Sequence, residues 1–363
     1  MDSSSLPSVI HIRDPRDPPA WQHLKHTYII FFITGNPGLI EYYHAFLTHL
    51  YAILTSSSSS SVQFQVCGRS LAGFEVDGSG PSGLGDGPPY SLQDQIEHIG
   101  RALEFHESIE RRRSGRTPRF ILIGHSVGSY ILLEIIRRTR KRALKDAESS
   151  VRIAGGICLF PTVTHIAKSQ SGRRSRWLLR RSGFALFVSI LAKSLTLVLP
   201  ARLLAFLISA LMSFPSDAAT VTSSFIKSPG GVRQALQVLL LHYPYKGTNC
   251  VRHMARDEMN TITTDAWDTE IWGAAHPSLN PWPRPILRFL FARSDHWVAN
   301  ETRDELIKVR GANEAGDVEE WKPKMEIDEE EGWVHGFCIS NIPVAEKVKG
   351  YIDDIVGRDL ERP

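Results

Sequence analysis

Three residue types can together make a nucleophile of an alcohol: a serine, an imidazole that takes its proton, and a carboxylate that orients the imidazole. One serine of this chain sits in a setting suited to that chemistry. Phe120-Ile121-Leu122-Ile123 runs into Gly124-His125-Ser126-Val127-Gly128 and on into Tyr130-Ile131-Leu132-Leu133-Glu134-Ile135-Ile136-Arg137. The pattern predicts a buried strand, a turn too tight for side chains on either flank, and a helix. Gly124 and Gly128 stand where strand and helix pass so close that a β-carbon would clash. Ser126 is thereby pushed into the open at the carboxyl end of the strand. The N–H of Val127 faces a bound substrate from the helix N-terminus.

A nucleophile on such a turn is followed along the chain by its acid and then by its histidine. Asp295 meets the first requirement, because it closes the apolar run Ile286-Leu287-Arg288-Phe289-Leu290-Phe291-Ala292 in Arg293-Ser294-Asp295-His296-Trp297-Val298. Asp265 and Asp268 follow no strand pattern and read as solvated charges. Fourteen histidines compete for the role of base. His242, His253 and His276 precede the acid, and His296 adjoins it, where two side chains rarely face each other across a site. His335 follows the last strand candidate, Lys324-Met325-Glu326-Ile327-Asp328, in a loop flanked by Gly332 and Gly336 that can return an imidazole over the sheet edge. A second oxyanion donor is expected in Gly35-Asn36-Pro37-Gly38, after the first strong strand. Pro37 has no N–H, so the Asn36 N–H is the candidate partner of Val127.

The elements that must position these residues are legible as alternation. Apolar runs at Tyr28–Thr34, Phe120–Ile123, Ile153–Phe160 and, around Arg288, Ile286–Ala292 carry the signature of buried strands, and Phe64–Ser70 reads as a further strand. Helix-like stretches lie between them at Glu41–Leu54, Leu92–Glu110 and after Ser126. A last one carries Val344, Val348, Ile352 and Ile355 at near-helical spacing. Such alternation gives a mostly parallel sheet with helices on both faces, and ligands bind at the carboxyl ends of its strands. Residues 1–26 read as a short entry strand or a loose arm, and Ser56–Ser61 as a polar surface loop.

The stretch 163–284 breaks the alternation and reads as an inserted helical cap between a first core part, 1–162, and a second, 285–363. Its centre, Phe184–Phe214, is the most apolar part of the chain. Lys193 and Pro200-Ala201-Arg202 interrupt it, so no run reaches the roughly 20 residues of a spanning helix. Two half-helices beside the basic, aromatic stretch Arg173–Arg181 suit insertion into one leaflet or a lipid monolayer.

Net charge is only +3, which gives no bulk electrostatic reason to bind nucleic acid. The basic runs Arg111–Arg113 and Arg137–Arg142 read as solvated helix ends and loops. The four cysteines form no C-x-x-C pair, and Cys67 and Cys158 fall within apolar strands, as in a reduced intracellular protein. The polar N-terminus lacks the apolar core of a signal peptide. The chemistry above needs no metal or organic cofactor, and the sequence offers no clustered His and Cys ligands at zinc-like spacing.

Thr34-Gly35-Asn36-Pro37-Gly38 with Tyr42-Tyr43, Gly124–Tyr130, Ser294-Asp295-His296-Trp297-Val298 and His335-Gly336-Phe337 resemble the lipid droplet-associated hydrolase family. The resemblance runs from about residue 28 to the end, and its G-N-P-G and D-x-W-V elements are more specific than the serine motif. It implies an α/β-hydrolase fold and a serine esterase with Ser126, Asp295 and His335 as its triad. It also implies sterol esters or other neutral lipids as substrates, at lipid droplets and the cytosolic face of the endoplasmic reticulum. Two alternatives stand beside ester hydrolysis: acyl transfer to an alcohol, and a droplet-surface tether with a residual core.

Overall fold

The computed structural model describes residues 8–14, 26–57, 61–75, 90–147, 150–173, 250–273, 277–312, 321–336 and 341–362, with single positions at 199, 200, 202, 203, 206 and 223. The strands are β1 (Val9–Ile12), β2 (His26–Ile33), β3 (Val62–Arg69), β4 (Arg119–His125), β5 (Arg152–Leu159), β6 (Ile286–Ala292) and β7 (Lys324–Asp328). They form a seven-stranded sheet in the order β1-β3-β2-β4-β5-β6-β7. Only the edge strand β1 is antiparallel, and β2 through β7 run parallel. Strand β4, which leads to Ser126, is therefore central.

Helices cover both faces: α1 (His44–Ser57), α2 (Leu92–Ser114), α3 (Val127–Ala143), α4 (Cys250–Thr261), α5 (Thr269–Trp272), α6 (Asn300–Arg310) and α7 (Asn341–Glu361). Successive strand residues point to opposite faces, which is why β2 and β4 feed two cores. Ile29, Phe31, Phe120 and Leu122 pack with α2 and α3 on one side. Ile30, Phe32, Ile121 and Ile123 pack with α1 and α7 on the other. The far end of α7 is pinned beneath the sheet by Asp359, only 2 % exposed. Its carboxylate accepts from Tyr28 Oη and Arg119, each at 2.7 Å, which ties the last helix to the amino ends of β2 and β4. Cys67 and Cys158 are buried in β3 and β5, and burial pushes both thiols up.

The turn between β4 and α3 tolerates no side chain at its flanks. A β-carbon on Gly124 would lie 2.5 Å from the Gly128 carbonyl oxygen, and one on Gly128 would lie 2.3 Å from that of Ile33. Both obstacles are backbone, so no rotamer relieves them. Gly128→Ala is expected to cost on the order of 3 kcal/mol, a large part of a domain's stability. Gly350→Ala, where the space around the glycine is open, is expected to be neutral or stabilising. Denaturant midpoints of the two variants check this.

Two sequence expectations change. Asp265 is not a solvated charge: it accepts the Trp272 indole N–H at 2.8 Å and pairs with Arg310 at 2.7 Å. Asp268 stays exposed, as expected, and caps α5 by accepting the Glu270 N–H at 3.0 Å. Arg140 in the basic run after Ile136 turns inward, donating to the Pro283 carbonyl at 2.9 Å and to the Glu270 carboxylate. Asp265 and Arg140 share a cause: residues 250–273 fold back against α3, so these two groups meet protein rather than water. Apart from the single positions given above, the apolar segment 184–214 lies outside the described residues, as do the basic stretch from 174 to 181, His242, His276 and Cys338. None of the described helices is long and apolar enough to cross a membrane.

Candidate active site

Ser126 caps the N-terminus of α3 with φ 53° and ψ −122°, in the left-handed region that residues with a β-carbon rarely adopt. Its N–H donates to the Leu159 carbonyl at 3.0 Å, so β5 helps hold the turn. The side chain makes no capping bond and is only 8 % exposed. The hydroxyl lies 2.9 Å from His335 Nε2, and His335 Nδ1 lies 2.7 Å from Asp295 Oδ2. Nδ1–H then donates to the carboxylate, and Nε2 is left to accept the serine proton.

The sequence around Asp295 explains how its carboxylate is aimed. Asp295 Oδ1 accepts the N–H groups of Trp297 at 2.7 Å and Val298 at 3.3 Å, a local Asx turn that leaves Oδ2 for His335. Burial opposes ionisation of this carboxyl. The hydrogen bond and charge of His335, with the two N–H groups, outweigh it and hold Asp295 below the usual carboxylate range. The anion that must orient the imidazole is thus present.

His335 reaches the site on the loop after β7. Asp328, the last residue of that strand, accepts the Glu331 N–H at 3.0 Å and the Trp333 N–H at 2.6 Å and so bends the chain back. Asp328→Ala leaves those donors without their carboxylate. A stability loss of about 1–3 kcal/mol is expected. A fall in kcat of about ten- to a hundredfold on a soluble ester, with KM little changed, is expected to accompany it. Thermal melts and initial rates check both.

A second tie to His335 comes from His125, which sequence reasoning passed over. Its Nε2 lies 2.7 Å from the His335 carbonyl oxygen and donates to it. Its Nδ1, 2.8 Å from Tyr43 Oη, accepts the phenolic proton. Tyr43 Oη in turn accepts the Gly35 N–H at 3.4 Å. Burial, then the neighbouring His335 charge, lowers His125 to about 3, so it stays neutral and keeps both roles. The loop after β2, the turn before Ser126 and the loop of His335 are joined through two side chains.

The two residues expected as oxyanion donors lie on two chain segments. The first N–H groups of α3, Val127 among them, have no intrahelical acceptor. Asn36 lies in the loop after β2, joined to Pro37 by a cis peptide. Leu71 N–H bonds the Gly38 carbonyl at 2.8 Å and Ile40 N–H bonds Ser70 Oγ at 3.1 Å, fixing the far side of this loop. Among the described residues, no three of His, Cys, Asp and Glu are grouped to hold a metal ion. His296, set aside as the base, instead faces Gln170 at 2.8 Å near the surface.

A family model described as lipid-droplet associated hydrolase matches residues 26–338. The lipid droplet-associated hydrolase of Gallus gallus is 28% identical over 162 residues, 45% of each chain. That of Mus musculus is 28% identical over 173 residues, 45% of this chain and 48% of the mouse protein. The matched region thus spans about half the length of these curated relatives. Among solved structures, a peroxisomal α/β-hydrolase of Saccharomyces cerevisiae superposes with a TM-score of 0.52 at 12% identity, over 94% of this chain and 79% of that one. That likeness agrees with the parallel sheet and its flanking helices in giving an α/β-hydrolase fold. With the family model covering most of its length, the chain belongs to the lipid-droplet associated hydrolase family.

Proposed function

We propose that the protein is a serine hydrolase that cleaves carboxylic esters of hydrophobic lipids, sterol esters or other neutral lipids, at the surface of lipid droplets and the cytosolic face of the endoplasmic reticulum. The observation that carries the reading is the unbroken line of hydrogen bonds from Ser126 through His335 to Asp295. The droplet surface is supported by the family to which the chain belongs and by the apolar character of Phe184–Phe214.

Ser126 Oγ attacks the acyl carbon as its proton passes to His335 Nε2. Asp295 holds the imidazole in the required tautomer and stabilises the imidazolium. The Val127 and Asn36 N–H groups receive the acyl oxygen as it becomes negative. Collapse expels the alcohol, which takes the proton from Nε2. Water then attacks the acyl-enzyme, gives a proton to Nε2, and the second collapse frees the fatty acid and returns that proton to Oγ.

Purified protein assayed on a short p-nitrophenyl ester and on emulsions of cholesteryl ester and triacylglycerol tests the proposal. The expected result is release of fatty acid from the short ester and from at least one neutral lipid. Rates equal to background on all three would overturn it. Adding a small proportion of an alcohol to the aqueous assay and finding new ester in excess of free fatty acid would move the reading to acyl transfer.

A further inference from the structure

Helix α4, in the segment between β5 and β6, meets the rest of the chain along one face. Met254 and Ile262 enter the core, and Asp257 and Glu258 lie on the same side at helical spacing. The two adjacent carboxyls bind different partners. Asp257 accepts the Leu92 N–H at 2.6 Å, at the first residue of α2. Glu258, only 5 % exposed, accepts from the side-chain amide of Asn36 at 3.0 Å. A carboxyl from outside the serine, acid and histidine set is thus seated on the residue assigned above as an oxyanion donor.

We propose that Glu258 is a positioning residue for the oxyanion loop, holding Asn36 from α4 so that its N–H meets the developing negative charge. The inference rests on the hydrolase reading above and deepens it. An oxyanion donor is most effective at roughly 2.7–3.1 Å from the transition-state oxygen, so the loop that carries it must be held in place. Tyr43 and Ser70 secure the loop from the sheet side, and Glu258 secures it from the segment above the sheet. Displacing α4 therefore withdraws one oxyanion donor.

The protonation state of Glu258 gives the coupling a second property. Burial first, then the charge of Asp257, pushes its carboxyl up to about 8, against the lowering effect of the Asn36 bond. The elements packed on α4 bring Asp94 and Glu97 on α2, and His165 and Lys168 beside the short turn Ile166–Lys168. The neighbouring charge that raises Glu258 is that of Asp257 on its own helix. At neutral pH the acid is uncharged and accepts from Asn36. Above about pH 8 it carries a negative charge beside the place where the substrate oxygen becomes negative, and the two repel.

The test is the second-order rate of labelling by a fluorophosphonate, which forms an anionic centre at the same donors, for wild type, Glu258→Gln and Glu258→Ala between pH 6.5 and 9.5. Glu258→Gln keeps an acceptor for Asn36 and is expected to label within about threefold of wild type at pH 7, whereas Glu258→Ala is slower by about tenfold or more. At pH 9, wild type is expected to fall about tenfold below Glu258→Gln, which has no proton to lose there. Parallel pH profiles for wild type and Glu258→Gln would overturn the proposal even if Glu258→Ala failed to fold. Equal rates for a folded Glu258→Ala would also overturn it while leaving the hydrolase reading intact. Wild type inert to the reagent at every pH would remove that reading and this one with it.

Discussion

Ser126→Ala is expected to lower ester hydrolysis by on the order of 10⁴- to 10⁶-fold, with the melting temperature nearly unchanged. The two halves of this expectation have separate causes. The hydroxyl is the attacking atom, and nothing else in the described site stands 2.9 Å from His335 Nε2 in its place. Alanine fits the same buried corner, and Ser126 makes no capping bond through its side chain, so little folding energy is lost with the oxygen. A small residual rate above background is expected, because the Val127 and Asn36 donors still bind the oxyanion while water attacks directly. Initial rates on a soluble ester, measured beside thermal melts, check both halves. A variant retaining a tenth of the wild-type rate would place the nucleophile elsewhere.

Asp295→Asn is expected to lower kcat by about 10⁴-fold with the fold intact. The amide oxygen can still accept the Trp297 and Val298 N–H groups, so the turn that Asp295 organises is preserved. The amide NH₂ then occupies the position of Oδ2, 2.7 Å from His335 Nδ1, where it can only donate. His335 must present Nδ1 as an acceptor, which moves its hydrogen to Nε2 and leaves no acceptor for the Ser126 proton. The loss therefore lies in kcat rather than KM. Steady-state kinetics on a soluble ester separate the two, and a KM effect with kcat preserved would contradict the assigned role.

Much of this was legible in the sequence for a physical reason that also sets its limit. Strands β2, β4, β5 and β6 are largely apolar through their centres, Arg288 of β6 aside, because both faces of a parallel sheet are covered. The short edge strand β1 has one neighbour, so its few residues carry a weaker pattern, and only an entry strand or arm could be read there. Helix α1 begins at His44 rather than Glu41 because Ile40–Tyr43 form a tighter 3-10 turn, a difference no periodicity encodes. Asp295 and His335 could be singled out because chain order and strand ends limit the choices. His125, Tyr43 and Glu258 could not. The contacts that matter join residue 43 to 125, 125 to 335, and 36 to 258, and such pairings leave no local trace. His125 did carry one hint, as a ring placed between a buried strand and the nucleophile. Asp265 was misread for the converse reason: in an irregular stretch a carboxylate that packs against two tryptophans and an arginine looks the same as one in water.

The measurement that bears most directly on the account is the site of covalent capture by a fluorophosphonate. The intact protein would be labelled and digested, and the modified peptide sequenced by mass spectrometry, with ester hydrolysis followed in the same sample. The account expects one adduct, on Ser126, and loss of activity in proportion to its formation. Full activity remaining after Ser126 is modified, or capture at another serine while Ser126 stays free, would contradict it.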